Sequence, residues 1–197
     1  MMTPPSLKII VEGVTDAQLI RAILGDDLAK HAQFYAAQGR ASLAALGQTI
    51  LFHEGGPVLL VMDSDTLNPQ LAAEMQSLTI AAMSGSLTSG GQFPVETLPL
   101  TSQFKVFTFI PEIEAVFFEA PEVLDRLLGK KAPQDKVREG HLIPKQVLTE
   151  LLANAKTHHD YQQLLEHLDP KAQKSLATGS QASRLKATVE SLLADAA

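Results

Sequence analysis

The chain has 197 residues, 45% of them hydrophobic and 19% charged, which suffices for one sizeable domain with an appendage, or two small domains, around a real core. It has no cysteine, which excludes disulfides, thiolate zinc sites and a cysteine nucleophile and fits a cytoplasmic protein. The net charge of −6 does not announce a nucleic-acid binder, although a local basic face is compatible with it. No apolar run nears the roughly 20 residues of a membrane helix, so no membrane association is expected. Met1 to Ser6 lack the basic start and apolar core of a secretory leader.

In chain order, Leu7-Lys8-Ile9-Ile10-Val11 reads as a first strand ending in Glu12-Gly13. Thr15 or Asp16 can cap a helix through Leu24, and Gly25-Asp26-Asp27 ends it. Gln33 to Ala37 reads as a second strand, and Ser42 to Phe52 as a second helix with Leu43, Leu46, Ile50 and Leu51 on one face. Gly55-Gly56-Pro57 breaks the chain before Val58-Leu59-Leu60-Val61-Met62, a continuous apolar run typical of a strand buried on both faces. Asp63-Ser64-Asp65 follows it directly. A helix over Pro69–Met83 and a Ser/Gly-rich loop over Ser84–Gln92 come next. Phe104 to Ile110 is a fourth strand, and Pro111 fits the first turn of the helix after it. From Pro121 onward only short helices are expected: Val123–Leu128, Pro144–Ala153, Tyr161–Leu168, Pro170–Leu176 and Ser183–Leu193. A polar, basic linker begins near Gly129 and separates the strand-bearing part from a helical extension.

This alternation predicts right-handed βαβ crossovers and an α/β fold with a parallel four-stranded central sheet flanked by helices. Strands of a parallel sheet point one way, so their carboxyl ends share one edge, where ligands collect. Three strand ends carry acids: Glu12 with Asp16, Asp63 with Asp65, and Glu112 with Glu114. Carboxylates brought together repel, and such a cluster calls for a compensating cation. Oxygen ligands suit Mg²⁺ or Mn²⁺, which would stabilise a phosphodiester under attack. Plainer roles stand beside this: Asp16 as a helix cap, and Glu112 and Glu114 as acids favoured at a helix N-terminus.

The strand ending in Glu12-Gly13, followed by helix, strand, helix and a strand ending in Asp63-Ser64-Asp65, resembles the TOPRIM domain of topoisomerases, bacterial primases and OLD-family nucleases. The resemblance covers roughly residues 7–118 and is closest to the OLD-family nuclease type. It implies a Rossmann-like TOPRIM domain over residues 7–128 and a helical C-terminal extension over 129–197. It also implies that Glu12, Asp63 and Asp65 are catalytic and that Glu12, Asp16, Asp63, Asp65 and Glu114 hold Mg²⁺ or Mn²⁺. The activity implied is a divalent-metal-dependent phosphodiester enzyme acting on DNA or RNA, most simply an endonuclease. Thr66-Leu67-Asn68 departs from the continuation common after Asp-x-Asp. The chain reads as a stand-alone TOPRIM protein without the ATPase segment of full OLD proteins, which leaves open a partner ATPase and self-association.

Two alternatives remain. One is a non-catalytic TOPRIM-fold protein that regulates or builds complexes. The other is a phosphatase of the haloacid-dehalogenase type, whose Asp-x-Asp is followed by Thr or Val four residues after the first Asp; here Leu67 stands there. Gly13 allows close phosphate approach, and the basic linker of Lys130, Lys131, Lys136, Arg138, His141 and Lys145 offers a backbone contact, with a solvated linker as the plainer reading. His158, His159 and His167 group locally, chiefly as solvated positions, and Phe104, Phe107, Phe109, Phe117 and Phe118 read as core.

Overall fold

The computed structural model describes residues 7–89, 104–155 and 160–196. The β-branched and aromatic runs form four strands: β1 (Leu7–Val11), β2 (Ala32–Ala36), β3 (Val58–Asp63) and β4 (Phe104–Phe109). They pair in the order β2-β1-β3-β4, all parallel. Three helices alternate with them, α1 (Val14–Ala29), α2 (Arg40–Glu54) and α3 (Pro69–Ser89). Among the described residues, seven helices follow β4, all but the last short: α4 (Ala115–Glu119), α5 (Pro121–Leu128), α6 (Gln134–Gly140), α7 (Pro144–Ala153), α8 (Tyr161–Glu166), α9 (Pro170–Leu176) and α10 (Ser180–Asp195).

Side chains alternate across each strand and divide the core in two. Leu7, Ile9, Val11, Leu59, Val61, Phe107 and Phe109 face one side; Ile10, Val58, Leu60, Met62, Phe104 and Val106 face the other. The second face is closed by α2 and α3 through Leu43, Ile50, Leu51 and Met83. The first is closed by α1 together with the helices after β4, so Leu19, Ile23, Leu148, Leu164, Leu176 and Leu185 belong to one apolar cluster with the sheet. The helical tail thus completes the core of the sheet. None of the helices among the described residues is long and apolar enough to cross a membrane.

Several expected elements shift. The first helix is capped at Gly13, and Asp16 sits three residues in. Gly25 adopts φ +69 and kinks α1, which resumes for one further turn. Helix α3 continues to Ser89, past the serine and glycine expected to begin a loop. Pro111 does not open a helix: Ile110–Pro111 is cis, Glu114 is the N-cap, and α4 begins at Ala115. The linker after Gly129 contains α6, which lacks an apolar stripe and is held through Gly140 and Val137. His158 and His159, and positions 90–92 of the expected loop, lie outside the described residues.

Gly140 shows why a short helix can be held by one close approach. A Cβ placed there would overlap the ring of Phe118. Gly140→Ala is therefore expected to destabilise the fold by about 1–3 kcal/mol, the cost of overpacking. That exceeds the gain of about 1 kcal/mol at most from alanine's helix propensity. Thermal unfolding should shift down by several degrees; an unchanged midpoint would mean that α6 does not rest on Phe118.

Candidate functional site

The carboxyl ends of β1, β3 and β4 meet at one edge of the sheet, and backbone hydrogen bonds fix them. Ser64 N donates to Phe109 O at 2.9 Å and Pro111 O at 3.0 Å, and Asp65 N donates to Pro111 O at 2.9 Å. Gln181 of α10 clamps the same turn: its Oε1 accepts from Ile110 N at 2.7 Å and its Nε2 donates to Ile110 O at 2.9 Å. Asp65 takes φ +50, a left-handed conformation that aspartate tolerates better than most residues.

Glu12 ends β1, and its Oε1 accepts from Arg40 Nε at 3.2 Å and from Asp63 N at 3.4 Å. Asp16 Oδ2 accepts from Gly13 N at 2.8 Å, which makes it the reciprocal acid of the helix start. Its pKa is nonetheless raised, first by burial and also by Glu12, against the opposing pull of the Gly13 bond and Lys145. Asp63 Oδ1 accepts from Ile113 N at 2.8 Å. Burial, then Glu114 and Asp16, push the Asp63 carboxyl up to about 8. Glu114 is 2% exposed, and its Oε2 has no hydrogen-bond partner. Burial first, then Glu112 and Asp16, raise it to about 7 despite Lys145.

Glu12, Asp16 and Asp63 line a cavity of about 10 Å³ walled by Ile20, Phe109 and Ile113. That is room for one water-sized occupant. Among the described residues, no three His, Cys, Asp or Glu side chains close up as a ready metal-holding set. Arg40 pairs with Glu12 and Asp65, while Ile113 N holds Asp63. The donor chemistry fits a hard divalent cation: oxygen ligands only, acids with raised pKa values, and an unpartnered buried carboxylate oxygen on Glu114.

No family model and no curated protein matches the chain. Among solved structures, the C-terminal region of the Burkholderia pseudomallei OLD protein covers 96% of this chain and 98% of its own length, at TM-score 0.54 and 14% identity. The chain has an OLD-type TOPRIM fold. The C-terminal region of the Xanthomonas campestris pv. campestris OLD protein covers 94% of this chain and 97% of its own length, at TM-score 0.43 and 14% identity. Within the OLD-type fold, Glu12, Asp16, Asp63, Asp65, Glu112 and Glu114 all come from the shared sheet edge, as parallel strands require.

Two cations stand at this edge: Arg40, which a motif-based reading misses, and Lys145, expected only as part of the basic linker. Arg40 opens α2, and its Nη2 donates to Asp63 O at 2.7 Å and pairs with Asp65 Oδ2 at 2.8 Å. Its signal was positional: Gln38 (φ 61) and Gly39 (φ 119) turn the chain at the end of β2, so the next side chain lands on the acidic edge. Lys145 opens α7. Burial lowers its pKa, but Glu114, Asp63, Asp16 and Glu112 outweigh that and raise it. Its amide donates to Glu112 Oε2 at 3.0 Å. Tyr161 of α8 places a buried, unpartnered hydroxyl near the same acids; burial, then Glu114, Asp16 and Asp63, raise its pKa well above normal.

The basic stretch disperses. Lys130 Nζ donates to Asn154 O at 2.6 Å, and Lys136 pairs with Glu139 at 2.8 Å and Glu150 at 2.7 Å. Lys131 and Arg138 are exposed. The five phenylalanines expected in the core are buried there.

Proposed function

We propose that this chain hydrolyses phosphodiester bonds of DNA or RNA with Mg²⁺ or Mn²⁺, as an endonuclease of the OLD type. One observation carries the reading: on the strand edge, Glu114 is buried with an unpartnered carboxylate oxygen, and its charge helps to raise the pKa of the half-buried Asp63. Burying ionisable acids in this way is costly unless a cation joins them. Glu12, Asp16, Asp63, Asp65 and Glu114 would hold the ion, which supplies Lewis-acid stabilisation of the phosphate oxygens when bound. Glu12 is the base that takes a proton from the attacking water. Lys145 faces a non-bridging phosphate oxygen with its ammonium group. Gly13 allows backbone approach, and the exposed Lys131 and Arg138, rather than Lys130 and Lys136, contact the strand beyond. An ATPase partner and self-association belong to the same reading.

The purified protein, incubated with supercoiled DNA, single strands and RNA in Mg²⁺ or Mn²⁺, should cut at least one of them. A chelator should stop the reaction. If no substrate is cut and neither ion shifts thermal unfolding, the reading fails.

Arg40 competes with the ion for Glu12 and Asp65. Arg40→Ala leaves those acids without their guanidinium and should tighten Mn²⁺ binding roughly three- to tenfold, a change on the scale of a partly exposed ion pair. Calorimetric titration measures it directly. Weaker binding in the variant would mean that Arg40 orients the ligands rather than competing for them.

A further inference from the structure

We propose that a groove beside the acidic edge receives an unstacked nucleobase of the bound strand, with preference for bases that carry an exocyclic amino group. The proposal rests on the phosphodiester reading of the adjacent site and adds the kind of strand it takes. The groove has a volume of about 250 Å³ and is lined by Asp65, Pro111, Glu112, Leu142, Ile143 and Gln146. Leu142 and Ile143, adjacent in the turn between α6 and α7, are 56% and 40% exposed. Single exposed aliphatics are ordinary, but a contiguous pair opposite a proline and beside a candidate reaction centre is a binding surface.

Shape and charge select the occupant. Drug-sized ligands need pockets of roughly 300–1,000 Å³, so this groove suits a single ring system. Leu142, Ile143 and Pro111 offer apolar contact to the faces of a flat ring. Asp65 and Glu112 add two carboxylates, and Glu112 is held at the wall by its bond from the Lys145 amide. Two carboxylates repel a phosphate and accept from amino groups, as acidic side chains do from cytosine N4. Thymine and uracil present carbonyl oxygens in place of that amino group. Gln146 contributes an amide that can both donate and accept.

Position ties the groove to the reaction. Asp65 belongs to both the groove and the candidate metal ligands, Glu112 lies two residues before Glu114, and Lys145, next to Gln146 in the chain, donates its amide to Glu112. A phosphate at the acids therefore has its neighbouring base at the groove. A base engaged in a duplex keeps its amino edge paired, so the substrate is single-stranded or locally opened nucleic acid.

Single strands carrying 2-aminopurine at successive positions test this with the full chain and Ca²⁺ as the divalent ion. Fluorescence anisotropy reports binding of the strand, and 2-aminopurine emission reports loss of stacking. One position should brighten on binding. Leu142→Asp and, separately, Ile143→Ser should remove that change and weaken strand binding about five- to tenfold, within the range of one base contact. Both residues are exposed, so the variants are expected to fold. Replacing the base at that position by thymine should weaken binding relative to cytosine or adenine, and indifference would overturn the amino preference. Strands that bind without brightening at any position overturn the groove while leaving the phosphodiester reading intact. Strands that do not bind at all overturn both. Sedimentation showing a second copy of the chain seated on Leu142 and Ile143 also overturns it.

Discussion

Asp63→Asn is expected to abolish hydrolysis and, at the same time, to stabilise the metal-free fold. The two effects have one cause. Asp63 is a half-buried acid held at about 8 by desolvation and by Glu114 and Asp16. Near neutral pH its ionisation draws Mg²⁺ or Mn²⁺ and works against the packing around it. Asparagine has nearly the same shape and can still accept from Ile113 N through Oδ1, so the turn stays in place. What it loses is the charge. Catalysis should fall on the order of a hundredfold or more, the scale of removing one electrostatic contact from a reaction centre. With a chelator present near pH 8, the midpoint of thermal unfolding should rise by several degrees, since about 1 kcal/mol moves it roughly 2–4 °C in a chain of this size. A variant that retained activity, or one destabilised in chelator, would show that Asp63 acts as a structural cap rather than as a ligand.

The second large effect is the dependence of stability on pH. Unfolded aspartate and glutamate titrate near 3.8 and 4.5, whereas in the fold Asp63 and Glu114 sit at about 8 and about 7. Between those limits the native protein binds more protons than the unfolded chain. The stabilisation from the two neutral acids is therefore complete below about pH 4 and is lost as pH rises through 7 and 8. In chelator, the unfolding midpoint should drop steadily from about pH 5 to about pH 8. Millimolar Mn²⁺ should do little at the acidic end and raise the midpoint most at the alkaline end, because the ion binds the ionised carboxylates. Calorimetric scans across that range, with and without Mn²⁺, read both slopes. A flat profile in chelator would remove the coupled buried acids from the account.

The strands were readable because each strand's chemistry matches its layer. Val58 to Met62 is a continuous apolar run and Leu7 to Val11 is one but for Lys8, as strands packed on both faces require, and β4 declares itself by aromatic and β-branched residues. The shared acidic edge follows from parallel topology alone. Arg40 and Lys145 were harder, because neither belongs to a spacing pattern. Arg40 follows a pair of left-handed turn residues at the end of a strand that carries no acid. Lys145 lies about thirty residues after Glu114 along the chain and returns to it only through the fold. Helix α6 was hidden because it buries a glycine against Phe118 in place of an apolar stripe. Pro111 misled for a local reason: its carbonyl, accepting from Ser64 and Asp65, ties β4's turn to β3's end, and the helix waits until Ala115.

Those last bonds have a consequence for how such a chain can change over time. The turn that presents Asp63 and Asp65 is stapled by main-chain groups of Ser64, Asp65, Phe109 and Pro111. The acids add bonds from Ile113 N and Asp63 N that an amide oxygen can accept equally well. Single substitutions can therefore exchange one acid for an amide, or shift the choice of ion, while the scaffold is inherited unchanged. Descendants of one fold could then diverge into cutting and non-cutting forms a single codon apart. Asp65 is the most constrained of the acids, since φ +50 admits few residues beyond aspartate, asparagine and glycine without strain.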